Sequence, residues 1–495
     1  MLDFNYFRPC APVSEAERKI DFEYFYDYDF RTTCGPCEQM DHLVEVIFAD
    51  ISVELKGLPK NPKHLEKRLC KVKNEIRSIL WNFYLCAQAD YDLYLKIPMG
   101  NNSYVVCSHK NPLGLRPDIR NVLSQMQEHG WVEIRKGYYG IEGKKSKVTR
   151  IRQTVKTAAF IENLPDDLIA VAPSRPSIKV KTQKDKAVLH NDQILEHAEI
   201  KKTAGLMDRL NHRIRQHTIS MYGTSSKYLS YAFKNKGNSI GTKPIRLDDT
   251  QMSAVFHKTC QDTFGYGRMH GGVWQAMPSE FRQCLQIDGE PCVELDYSSQ
   301  FLNIVASMNG IQLGDNAYVF DIGLPMLNDR LIKTIVKFAV LVGLGSHSLK
   351  TAIGGLRSQI IESDDIQNHE ISLKDKDLKL IFDKIIEKYE FLKPVMFCGH
   401  SNHLFFEDSE VARAVIQVLL DRNKPIFPIH DGFVVKAEDE DLLMNAMRKA
   451  WEDRFNTKIQ IKKEWGGAGY AYPSYQQVLA ERIDTLMPNF DDHIS

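Results

Sequence analysis

The sequence predicts an α+β protein of several domains, and three observations carry that prediction. The first is length: 495 residues exceed what one hydrophobic core organises, which implies about two to four domains. The second is a change of periodicity in the N-terminal half, where helical patterns are followed by two short alternating stretches. The third is a pair of apolar strands in the C-terminal half, each ending at an aspartate, with helical segments between them.

Composition narrows the class. Hydrophobic residues make up 43% of the chain, which suits a globular protein. No apolar run is long enough to cross a bilayer, so no membrane partner is expected. Met1-Leu2-Asp3-Phe4 lacks the basic-then-apolar order of a secretory leader. The 10 cysteines have no small-scaffold spacing and read as reduced thiols, which points to the cytoplasm. A net charge of +0 excludes a chain coated in basic residues but not a basic groove. Basic residues do cluster, as Lys144, Lys145, Lys147, Arg150, Arg152 and Lys156, and again as Lys179, Lys181, Lys184 and Lys186. Each run taken alone also fits a solvated face.

The N-terminal half is mixed to about residue 70. Cys34-Gly-Pro-Cys37 has the spacing of a zinc knuckle, yet no second pair follows, so it reads as a turn with two free thiols. Leu69, Val72, Ile76 and Leu80 recur at helical spacing within 62–89. Leu115 to His129 forms an amphipathic helix that Gly130 ends. Trp131 to Arg135 alternates as a strand, Tyr138 to Lys145 is a Gly- and Lys-rich turn, and Lys147 to Thr154 is a second strand. Helix, strand, basic hairpin, strand resembles the end of a winged-helix domain, here spanning about 75–160. That resemblance implies that Lys147, Arg150 and Arg152 touch nucleic-acid phosphates. A helix and hairpin without a ligand is the alternative. Residues 171–190 read as a linker, and a helix follows from about Asp192 to His217.

Three C-terminal segments carry chemistry together. In Cys292-Val-Glu-Leu-Asp296-Tyr-Ser-Ser-Gln-Phe301 an apolar strand ends in an aspartate and a helix begins. Alone, such an aspartate is most often a helix cap. In Pro425-Ile-Phe-Pro-Ile-His430-Asp431-Gly432-Phe433-Val-Val435 two apolar strands flank a tight turn. Asp-Gly is a common turn, but wholly apolar flanks put its charge in a buried place. Between these segments, Lys333 and Lys337 share one face of an otherwise apolar helix. Two aspartates from separate strands suit a pair of magnesium ions, with manganese as a substitute. A lysine from another element suits the β- and γ-phosphates of a nucleoside triphosphate.

The order of these segments resembles motifs A, B and C of family A DNA polymerases and phage-type single-subunit RNA polymerases. Asp296-Tyr297-Ser298 matches motif A, His430-Asp431 matches motif C, and Lys333 and Lys337 stand at the motif B spacing with Lys in place of Arg. Upstream, Gly267-Arg268, Gln275 and Pro278 follow the family's order, with Arg282 just beyond. The resemblance covers about 200–470 and is thin outside the motifs. It implies a right-hand architecture of palm, fingers and thumb. It places Asp296, Asp431 and Tyr297 at the metals, and Lys337 with them as catalytic. Arg268, Arg282, Lys333, Lys337, Phe301 and Tyr297 would lie at the nucleotide, and Gln275 and His430 at template or primer.

The departures bear on substrate. Phe301 stands where the DNA enzymes carry a glutamate that screens out ribose, so Phe301 or Gln300 would act as the sugar gate. Gly432 follows the motif C aspartate, and motif B lacks its Tyr-Gly. No Asp-x-Glu exonuclease signature is evident, so no proofreading is expected. Asp315, Tyr318 and Asp321 read as a surface loop. His400, His403 and Asp408 read as structural or primer-side residues.

The expected map is an N-terminal region at 1–170, a linker at 171–190, a helical thumb-like segment at 191–260, palm at 261–310, fingers at 311–395, and palm with tail at 396–495. The expected activity is DNA polymerase without proofreading, working on DNA, with RNA as a further partner, in a plasmid, phage or antiviral defence setting. The rivals are an RNA polymerase or primase, a template-independent transferase, and a non-catalytic replication initiator.

Overall fold

The computed structural model describes residues 25–27, 33–55, 58–89, 94–97, 115, 119–135, 149–165, 168, 170–171, 177–182, 188–189, 197–234, 240–258, 264–363, 366 and 373–486. They form a mixed α+β protein. The chain divides into two compact units. One comprises Met1–Arg175, Gly223–Asp249 and Ser474–Ser495, and the other comprises Pro176–Tyr222 and Thr250–Pro473. No helix among the described residues is long and apolar enough to cross a membrane.

The first unit is built on the helices Glu38–Ile51 and Pro62–Ala89, whose buried faces meet over Ile47, Ile76, Leu80 and Trp81. Cys37 caps the first of these, its sulfur accepting from the Met40 N–H at 3.5 Å. This gives the Cys-Gly-Pro-Cys turn a structural use. A four-stranded sheet follows the order Phe25–Asp27, Tyr94–Lys96, Arg150–Gln153, Val132–Arg135. The helix Ile119–Glu128 buries Ile119, Val122, Leu123 and Met126 against this core and runs straight into Val132–Arg135, as its periodicity predicts. The expected turn at 138–145 and Lys147 lie outside the described residues.

The second unit holds two sheets. In one, Phe264–Gly271 pairs with Met252–Lys258, which pairs with Ile178–Thr182, which pairs with Val188–Leu189. The stretch expected as a linker therefore supplies two strands. Lys179 stands between Ile178 and Val180, which are buried, so a lysine-rich stretch conceals a period of two. The segment expected to be a helical thumb is one helix, Ala198–Arg215, followed by strands.

The other sheet centres on Glu290–Tyr297. One edge of this strand pairs antiparallel with Gly432–Lys436, which turns back onto Phe427–Ile429. The other edge pairs first with Leu285–Ile287 and then with Ile461–Gly466. Val293 and Leu295 are fully buried, and Tyr297 reaches the helix Glu440–Phe455, donating from its hydroxyl to the Met447 carbonyl at 2.7 Å. Trp274 stacks on Phe427 with ring centroids 4.3 Å apart and donates to the Pro428 carbonyl at 3.0 Å, which anchors the hairpin. The helix Asp329–Gly345 starts where the Asn328 side chain accepts from the Leu331 N–H, and it buries Leu331, Ile335, Val336, Ala339 and Val340.

Gly466 closes the edge strand with φ +89°, and a Cβ there would overlap the Cys292 carbonyl oxygen and lie 2.8 Å from Val293 Cα. Gly466→Ala is expected to cost about 1–3 kcal/mol, read as a lowered melting temperature with the fold retained.

Candidate functional site

The register of the central sheet brings the two aspartates together. Asp296 pairs with Gly432, and the Tyr297 N–H donates to the Asp431 carbonyl at 3.2 Å, so Asp296 and Asp431 occupy adjoining positions of hydrogen-bonded strands. Gly432 leaves room for this approach: a Cβ there would stand 3.2 Å from Asp296 Oδ1. The loop between the hairpin strands is only His430 and Asp431, since Ile429 pairs with Gly432. His430 takes φ +52° to close it, a conformation few non-glycine residues adopt.

Both carboxyls lie in poor surroundings for a charge. Burial pushes Asp296 well above the ordinary carboxylate range, and repulsion from Asp431, Glu464 and Glu294 adds to this while Lys337 opposes it. Burial likewise raises Asp431. Its own backbone N–H, Arg268 and Lys337 pull the other way, and Glu294 pushes up again. Asp296 Oδ1 is buried and has no hydrogen-bond partner. An orphaned carboxylate oxygen beside a second raised carboxyl suits a divalent cation, which would hold both groups ionised. Among the described residues, no cluster of three or more His, Cys, Asp or Glu encloses an ion by itself. Two carboxylates leave most magnesium coordination positions to water and substrate phosphate, which is this cation's usual habit.

Of the two lysines on this helix, Lys337 acts on the charge of both aspartates. Its side chain is exposed, as is that of Lys333 one turn earlier.

Arg268 is the other cation of the site. Its Nε lies 3.2 Å from Asp408 Oδ2, and its guanidinium stands 5.1 Å from the Phe405 ring centroid and 5.9 Å from that of Phe301. The two rings meet edge to face at 5.2 Å. Phe405 and Asp408 come from the helix Ser401–Asp421, which packs on the strand carrying Arg268. Asp408 is 1% exposed. Burial raises its pKa to about 7; Arg268 opposes that, Asp431 reinforces it, and the Gln300 side chain lowers it. His430 sits against His270 with ring centroids 5.8 Å apart. Burial first, then Arg268 and Arg282, bring His430 down to about 4, so it is a neutral imidazole at pH 7. Arg268, Asp408 and His430 line one small cavity with Met269, Ser409, Ala412 and Pro428.

Several expected residues are placed otherwise. The Tyr297 side chain, expected at metal and nucleotide, points to the opposite face from Asp296, because neighbours on a strand alternate, and it ends on Met447. Arg282 is bonded to Glu294 through two bonds of 2.8 Å and to the Met277 carbonyl, which ties it to the central strand. The Gln275 amide is spent on main chain, accepting from Gly271 N–H and donating to Pro428 and Met269 carbonyls. In the first unit, Arg150 is 8% exposed. Arg152 is held by Glu133 at 2.6 Å and lies 4.9 Å from the Tyr94 ring centroid.

The site also contains residues that sequence reasoning passed over. Tyr318 is buried rather than on a surface loop, and its hydroxyl pairs with Ser299 close to Asp431. Glu294 lies two residues before Asp296, on the same strand face, and ties Arg282 to Trp465, whose indole donates to it at 2.7 Å. That spacing was visible, but Glu294 resembles any strand glutamate until Arg282 and Trp465 are placed beside it. Phe405 carries no local signal, and the sequence marks Asp408 only as structural or primer-side, since each acts through contacts with a distant strand.

No family model matches the chain, and no curated protein matches it.

Two outcomes test this geometry. Arg282→Met strands a buried glutamate and is expected to cost about 3–5 kcal/mol, measured by denaturant unfolding. Asp408 has a folded pKa of about 7 against about 3.9 unfolded. Its contribution is thus fully present below about pH 4 and is lost as pH rises through about 7. In EDTA, the melting temperature of wild type relative to Asp408→Asn is expected to fall across that window and level off above it; a difference independent of pH would refute the assignment.

Proposed function

We propose that the chain is a single-subunit, two-metal nucleotidyltransferase with a right-hand polymerase palm in its second unit. It extends a nucleic-acid 3′-hydroxyl with nucleotides and releases pyrophosphate, most economically as a DNA polymerase without proofreading. One observation carries the reading: Asp296 and Asp431 sit at adjoining positions of paired strands, each raised by burial and by like charge, with Lys337 acting on both.

Asp296 and Asp431 would hold two magnesium ions, which when bound acidify the attacking hydroxyl and neutralise charge on the transferred phosphoryl group. The chain's own residues do the rest. Lys337 meets charge that develops on the departing pyrophosphate. Arg268, backed by two aromatic rings, presents a fixed cation beside Asp431 and His430. Phe301 is one of those rings, so a sugar gate there would work from the same wall that holds Arg268.

In the first unit, the strand order Tyr94–Lys96, Arg150–Gln153, Val132–Arg135 directly after the helix Ile119–Glu128 supports a winged-helix-like element. A role confined to DNA binding would make the acidic pair dispensable.

Primer extension with dNTPs and, separately, NTPs tests the reading. Templated synthesis is expected with magnesium or manganese, and Asp431→Asn is expected to abolish it while DNA binding persists. Lys337→Ala is expected to lower kcat by about 100- to 1,000-fold. Full synthesis by Asp431→Asn would remove the site assignment.

A further inference from the structure

A third carboxylate beside a metal-binding pair is an unexpected expense. Asp408 is 1% exposed, and Asp431 repels it. Burying such a group costs several kcal/mol unless something compensates. Its one ion-pair partner among the described residues is Arg268, at 3.2 Å. The arrangement around that contact is one-sided. Phe405, one turn before Asp408 on the helix Ser401–Asp421, and Phe301, on the helix Gln300–Met308, both flank the guanidinium. Two rings and one carboxylate thus confine an arginine whose charge lowers the pKa of both Asp431 and His430.

The other charges facing Asp408 do not explain it. Asp431 repels it, and Gln300 is neutral. On its own helix, Glu407 pairs with Arg454, and Arg413 with Glu410. Asp408 therefore has Arg268 as its only cationic partner in this part of the unit, among the described residues.

We propose that Asp408 is a positioning residue that aims Arg268 at the reacting nucleotide or primer end. This rests on the polymerase reading of the same site. Asp408 touches no substrate. It holds the guanidinium by charge, at 3.2 Å and without hydrogen-bond alignment, so that the cation is already placed when substrate arrives rather than ordered at the cost of rotamer entropy. Phe405 and Phe301 bound the guanidinium on its other sides.

A double-mutant cycle on the full-length chain tests this, with Asp408→Asn, Arg268→Met and the double variant assayed for kcat and KM in templated extension. Asp408→Asn is expected to lower kcat about 10- to 100-fold with KM little changed, because alignment rather than ground-state binding is lost. In the Arg268→Met background the same substitution is expected to change kcat less than about twofold. Equal losses in both backgrounds would overturn the proposal, leaving Asp408 a packing residue and the polymerase reading intact. If Asp408→Asn fails to fold, Asp408→Glu replaces it in the cycle, where the longer stem shifts the guanidinium; coupling to Arg268 supports the proposal, and additivity overturns it. Wild-type chain that incorporates neither dNTPs nor NTPs would overturn the polymerase reading and this proposal with it.

Discussion

The constraint on which the second unit depends is the repulsion between two half-buried carboxyls. Asp296 and Asp431 are brought together by strand register and not by any attraction of their own. An isolated pair of this kind disfavours the folded chain, and the surrounding structure has to overdetermine it. The overdetermination is visible. The central strand is paired along both edges, Trp274 stacks under the hairpin, and Gly432 gives the two acids room. Glu294, on the same face, is tied into Arg282 and Trp465, which keeps a third negative charge from drifting toward the pair.

This division between charges that act and charges that hold explains why arginines of similar sequence context behave differently. Arg282 meets a carboxylate with matched fork geometry and a carbonyl besides, so its donors are consumed. Arg268 meets its carboxylate through one side and is otherwise bounded by aromatic faces, which attract a guanidinium without using its N–H groups. A stacked, singly paired arginine keeps donors for a ligand; a bidentate one does not.

The same logic separates what the sequence disclosed from what it hid. The acidic pair was legible because each aspartate ends an apolar run, and a charge at such a place needs an explanation. The helix at 119–128 and the strands on either side of the basic turn were legible through periodicity. The partners of Arg282 and Gln275 were not legible: that of Arg282 lies 12 residues away across a hairpin, and the main-chain acceptors of Gln275 carry no residue identity. The strands Ile178–Thr182 and Val188–Leu189 were hidden by lysines interleaved with the apolar residues of the sequence. Asp408 was read only as structural or primer-side, because its partner lies on a strand far away in sequence.

The lysine helix shows how far such reading extends. Sequence placed Lys333 and Lys337 on one face but could not rank them, since four residues amount to one helical turn. With the helix packed through Leu331, Ile335, Val336 and Ala339, Lys337 is left exposed and acts on both carboxyls. A cation that acts on two carboxyls without bonding to them is suited to meeting a polyanion. A direct Lys337 salt bridge to Asp296 would have stabilised the empty site and obstructed the filled one. The separation, with both partners kept apart by the rigid sheet on one side and the apolar helix face on the other, is therefore as much a part of the arrangement as the residues themselves.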